Sequence, residues 1–135
     1  MKYKLFQIKN IESCPYSFSG FSSAQKNNFS LNDYEVVYEG NINPVTFNEE
    51  GGHAISHTLE YLFTIFNIQH PADFTGRSMS TSDVVELDGK YYYTDHFGFK
   101  EITDMGLWYI SPLIRKIGLK RSIFLIFFVN IWFTF

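Results

Sequence analysis

The chain has 135 residues and a mass of 15.8 kDa, the size of a single domain. Hydrophobic residues at 45% exclude wholesale disorder, and aromatics at 19%, with 15 Phe and 9 Tyr, favour strand-rich packing. The formal charge is −3, but residues 1–114 hold 14 acids against 7 basic residues, so the body lacks the Lys and Arg surplus of a nucleic-acid binder.

An acidic body suits contact with a basic protein surface, or simple solubility. Cys14 is the sole cysteine, so neither an intrachain disulfide nor a cysteine-built zinc site can form. The first nine residues carry three lysines and no apolar run, unlike a signal peptide, and the chain reads as cytoplasmic.

Residues 2–9 (KYKLFQIK) predict a first strand with imperfect period-two spacing. Residues 10–33, rich in Ser and Asn, read mostly as loop, with Phe18, Phe21 and Phe29 expected to pin it to the core. Residues 34–39 (YEVVYE) predict a second strand, closed by Gly40. Residues 53–66 predict the clearest helix, with Ile55, Leu59, Leu62, Phe63 and Phe66 on one apolar stripe. Glu49 and Glu50 precede it, and the His70-Pro71 step ends it, because the residue before proline avoids helical angles.

Residues 83–94 predict a β-hairpin. Asp88-Gly89 suits the two positive-φ positions of a type I′ turn, which pairs Val85 with Tyr92 and Val84 with Tyr93. The fold class is α+β: a small antiparallel sheet with one main helix packed on it, in a domain spanning 1–104. Residues 105–135 form a basic, then apolar, extension. Its last 14 residues (SIFLIFFVNIWFTF) fall short of the roughly 20 needed to span a bilayer. They read as a buried final element, a membrane-proximal tail, or a subunit contact or terminal extension.

Chemistry-bearing clusters are sparse. His53 and His57 share a helix face at the i, i+4 spacing that can hold a metal, but position 54 is Ala where the zincin pattern has Glu. Two exposed or half-buried helix histidines are the favoured reading, since such spacing arises often by chance. Asp95 and His96 beside Ser78, Ser80 and Ser82 lack a nucleophile elbow, and strand neighbours point to opposite faces. Gly51-Gly52 lacks the Lys-Ser/Thr of a phosphate loop. Tyr91, Tyr92 and Tyr93 resemble a base-stacking platform, but acids outnumber lysines around them, so protein contacts or core packing fit better. No cofactor and no metal are expected.

The stretch from Phe66 to Ile102 reads FNIQHPADFTGRSMSTSDVVELDGKYYYTDHFGFKEI. It resembles the YodL-like domain of Gram-positive bacteria and their mobile elements. The matching positions include Phe66, Asn67, His70, Pro71, Phe74, Gly76, Ser78, Ser80, Ser82, Asp83, Val84 and Val85. They continue with Tyr92, Tyr93, Asp95, Phe97, Gly98 and Phe99. The segments YKLFQIKN and DYEVVYEG upstream also look like the family, and the resemblance covers residues 1–102. Arg77 stands where His is usual in the family, and His96 where Ser is common.

The resemblance implies an interaction role and carries over no catalytic residue. It implies a non-catalytic accessory factor that inhibits a host defence protein, of anti-CRISPR or anti-restriction type. The expected partner is a host protein such as a basic effector nuclease. A modulator of host cell-shape or membrane-associated machinery is an alternative. So is a small metal-dependent nuclease using His53, His57, Asp95 and His96. The partner-binding candidates are Ser78, Ser80, Ser82, Asp83, Tyr91, Tyr93, Asp95, Phe97 and Phe99. The competing reading is a folding signature, with the three serines on one extended face and Asp95 accepting from them.

Overall fold

The computed structural model describes residues 1–45 and 54–103. His53, Glu49-Glu50, Gly51-Gly52 and the extension from residue 105 lie outside the described residues. In chain order the elements are β1 (Lys2–Ile8), α1 (Phe21–Lys26), a 3-10 turn (Leu31–Asp33), β2 (Tyr34–Asn41) and α2 (Ala54–Ile68). Then follow β3 (Val84–Leu87), β4 (Lys90–Thr94) and β5 (Phe99–Ile102). The five strands form one sheet in the order β2-β1-β3-β4-β5, with every neighbouring pair antiparallel. The architecture is α+β, as expected.

Both faces of the sheet are covered, and this explains the imperfect period in β1. Alternate residues point to opposite faces. Phe6 and Ile8 join Val84, Tyr93 and Ile102 in a core closed by Tyr16, Phe21, Ala24 and Phe29. Tyr3 and Leu5 join Val85, Leu87 and Tyr92 in a second core closed by α2 through Leu59, Leu62 and Phe66. A strand buried on both sides needs apolar residues in both phases. A bulge lets Leu5 pair with Tyr38 and Phe6 with Val36, leaving Val37 as the extra residue of β2.

The segment 10–33, expected as loop, contains α1. Six residues, FSSAQK, are too few to show helical periodicity. Phe21 and Phe29 are buried as expected, whereas Phe18 is 48% exposed. The Asp88-Gly89 turn has positive φ at both positions (47° and 82°), and the predicted pairs Val85–Tyr92 and Val84–Tyr93 are formed. Along α2, Phe63 leaves the expected stripe and is 38% exposed, while Thr58 is buried. The Thr58 hydroxyl donates to Ala54 O and accepts from Val45 N–H, which ties the helix start to the chain just beyond β2.

Candidate functional site

The family-like motif begins as a helix stop. His70 Nε2 donates to Phe66 O at 2.6 Å, one of the last four carbonyls that a helix end leaves open, and Asn67 Nδ2 adds a bond to Phe63 O at 2.8 Å. Pro71 then prevents continuation. Phe74 folds back edge-on to Phe66, with ring centroids 4.9 Å apart. Gly76 is needed for closeness: a Cβ there would come within 2.8 Å of both Gln7 Oε1 and the Phe74 ring.

The next stretch is a buried ionic knot. Asp83 is fully buried. Arg77 reaches it with both terminal nitrogens, Nη2 to Oδ1 at 2.6 Å and Nη1 to Oδ2 at 3.2 Å. Ser80 N–H and Gln7 Nε2 also donate to Oδ2, at 2.9 and 3.1 Å. Burial pushes the Asp83 carboxyl above the usual carboxylate range, and Arg77 with the other donors pulls it only part of the way back. The outer face of the guanidinium packs over the exposed Phe18 ring, 5.1 Å from its centre. Arg77 is therefore the counter-charge of the knot.

Ser82 is also consumed by the fold. Its Oγ accepts from Phe18 N–H, its N–H donates to Thr94 O, and its carbonyl accepts from Tyr34 Oη. Its φ of 83° breaks the extended path, so Ser78, Ser80 and Ser82 do not share a face. Ser78 is exposed, Ser80 half-buried and Ser82 fully buried. Tyr93 is buried as well, and its hydroxyl donates to Ser19 O at 2.6 Å. Desolvation raises the Tyr93 phenol above its ordinary range, and Asp95 adds to the shift. Ser82, Asp83 and Tyr93 thus offer no exposed side chain to a partner, and Tyr91 is half-buried against Phe6.

Beyond β4 the chain turns back through Asp95–Gly98. The residues Asp95 and His96 sit in this turn and not within a strand. Asp95 N–H donates to Gly98 O at 2.9 Å, and Gly98 takes a φ of 72°. Asp95 Oδ1 accepts from His96 N–H at 2.8 Å and from Phe21 N–H, at the start of α1, at 3.3 Å. It accepts from backbone and not from the serines. The turn is thereby fixed at its base while Phe97 projects outward, 97% exposed.

A cleft of about 370 Å³ opens between this turn and α2. Phe63 and Glu60 line it from the helix, and Thr94, Asp95, His96 and Phe99 from the hairpin. Sequence reasoning named Asp95, His96 and Phe99 here but missed Phe63, Glu60 and Thr94. Phe63 was disguised as part of the apolar stripe because it follows Leu62. Thr94 gave no signal, since its significance lies in its surroundings. His57, on the same helix, has Nδ1 3.8 Å from Glu60 Oε2. Among the described residues, no group of three or more His, Cys, Asp or Glu is placed to hold a metal ion. No helix among them is long and apolar enough to cross a membrane.

No curated protein matches the chain, and no solved structure matches it. The family model of the YodL-like domain matches residues 2–105, from the first residue of β1 to just past β5. That span covers the helix stop, the Arg77–Asp83 knot and the Phe97 turn, and the chain belongs to the YodL-like domain family.

Proposed function

We propose that this protein is a non-catalytic, protein-binding accessory factor of a bacterial mobile element that inhibits a host defence protein of the CRISPR or restriction type. The carrying observation is Phe97, an aromatic side chain 97% exposed on a turn whose backbone is tied down on both sides. Single exposed apolar residues are ordinary. A fully exposed ring on a braced turn, beside a cleft, has the form of an interface anchor. The acidic body supports a basic partner, such as a nuclease whose nucleic-acid channel is rich in Lys and Arg. The proposed place of action is the cytoplasm, where such nucleases meet incoming DNA.

The test compares wild-type protein with Phe97→Ser. Tagged full-length protein is used to capture partners from nuclease-treated host lysate, and the captured protein is then assayed for nucleic-acid cleavage. The expected result is a stoichiometric defence nuclease, lost with Phe97→Ser and inhibited by the wild-type protein. Capture that disappears on nuclease treatment refutes the proposal. So does a captured protein whose activity the wild type leaves intact.

A further inference from the structure

α2 has an outer surface unlike that of an ordinary surface helix, which turns charged residues to water. Of its 15 residues, Glu60 alone is an Asp, Glu, Lys or Arg. Tyr61, Ile65 and Ile68 follow at spacings of four and three, so they form one row beside the buried Leu59, Leu62 and Phe66. Tyr61 is 44% exposed, Ile68 is 78% exposed and Ile65 is half-buried. One exposed apolar residue is ordinary, whereas an uncharged row of them marks a face that something covers. The row is about 10 Å long, far short of the roughly 800 Å² that a separate protein partner covers on each side. A tethered segment has no such requirement, because its effective concentration is already in the millimolar range.

We infer that residues 122–135 of this same chain dock along the Tyr61–Ile65–Ile68 row. That run, SIFLIFFVNIWFTF, contains no Asp, Glu, Lys or Arg and is too short to span a bilayer. Residues 104–121 tether it to the chain just beyond β5, and a tether of that length reaches about 60 Å, further than a domain of this size is wide. Charge favours the same placement. Arg115, Lys116, Lys120 and Arg121 precede the run, while the row is flanked by Glu60 and by the carboxyl end of α2, whose last turn holds no basic residue. Phe63 stands on the opposite flank of the helix and borders the cleft beside Phe97. The docked run therefore covers the row and leaves Phe97 open to a partner.

The experiment needs no partner. Full-length protein carrying Cys14→Ser takes nitroxide labels at Thr64→Cys, exposed on α2, and at Asn130→Cys, within the run, and pulsed dipolar EPR reads their separation. The expected result is a main distance below about 25 Å, a packing separation of about 10 Å plus the label arms, and unchanged by an excess of unlabelled protein. Tyr61→Ser/Ile68→Ser is expected to cut the short-distance population about fivefold, because burial of the two side chains no longer holds the run. Both positions are exposed, so the variant should melt close to wild type. A broad distribution centred well beyond the short distance overturns the inference. A short distance that disappears in excess unlabelled protein assigns the contact to a second copy, and one that survives Tyr61→Ser/Ile68→Ser places the run elsewhere; either result overturns it. So does loss of the short distance on adding phosphatidylcholine–phosphatidylglycerol vesicles, which would make the run a membrane tail.

Discussion

Arg77→Ala is the sharpest probe of the motif, because it removes one half of a buried charge pair. In the wild type, Asp83 is fully buried and Oδ1 accepts its shortest bond, 2.6 Å, from Arg77. After the substitution, Ser80 N–H and Gln7 Nε2 remain, both on Oδ2. Breaking a buried pair from one side costs about 3–5 kcal/mol, since it strands the remaining charge. The lost packing on Phe18 adds about 0.5 kcal/mol, as for an exposed cation–π contact. Total stabilities run from about 5 to 15 kcal/mol, so much of the protein's margin would go. The pH dependence has a definite sign. The folded-state pKa of Asp83 already lies above its unfolded value, and loss of Arg77 raises it further. The folded variant therefore takes up its proton before the unfolded chain does as pH falls, and this relieves the stranded charge. The wild-type advantage should narrow between pH 7 and about 5, just above the ordinary carboxylate range. Urea unfolding at both pH values measures this. A loss under about 1 kcal/mol at pH 7, or a gap that widens on acidification, would refute the knot as a stabilising element.

The buried phenols Tyr16, Tyr34 and Tyr93 are all raised by desolvation, so they support the fold fully below pH 10 and withdraw that support above it. Each costs about 1.4 kcal/mol by pH 11, near 4 kcal/mol together, and the tyrosinate absorbance contributed by these three, read as the difference from their Phe variants, should appear together with unfolding and not before it. Gly76→Ala should destabilise by about 1–3 kcal/mol, because its Cβ presses on Gln7 and Phe74; an unchanged urea midpoint would contradict the close approach. Phe97→Ser should leave stability within about 0.5 kcal/mol of wild type, which makes its loss of partner capture interpretable; a clear drop in melting temperature would mean the ring packs on the body.

The hairpin was legible because its register is a local matter: Asp88-Gly89 fixes the turn, and the turn fixes which Val meets which Tyr. The helix stop was legible for the same reason, as His70 and Pro71 act within one turn of Phe66. The fate of the Ser-Asp strip was not. Ser82 binds Phe18 N–H 64 positions away, and Gln7 reaches Asp83 across 76. No spacing within residues 76–83 could reveal that the partners lie on β1 and ahead of α1. The burial of both sheet faces was half visible, in the broken alternation of β1, but α1 was too short to announce the second layer.

What the fold consumes decides what is left to bind. The motif spends Ser82, Asp83, Tyr93 and Arg77 on joining β1, the segment ahead of α1 and the hairpin, so these four side chains serve the fold. That bonding has a consequence one turn later. Asp95 Oδ1 holds both the turn at His96 and the start of α1 at Phe21, so the base of the turn is anchored to the same layer as the knot. A rigid turn loses little freedom on binding, and that saving appears directly in affinity. Burying a phenylalanine ring from full exposure contributes about 1.5–3 kcal/mol, a useful share of binding only if ordering costs do not cancel it. The two facts belong together: Phe97 is a productive anchor because the residues behind it are locked. Weakening the Asp95 anchor should therefore weaken partner capture even with Phe97 intact. Asp95→Ala, with Phe97 unchanged and the fold checked by circular dichroism, should bind the partner measurably less tightly than wild type, and equal affinity would show that the bracing contributes nothing.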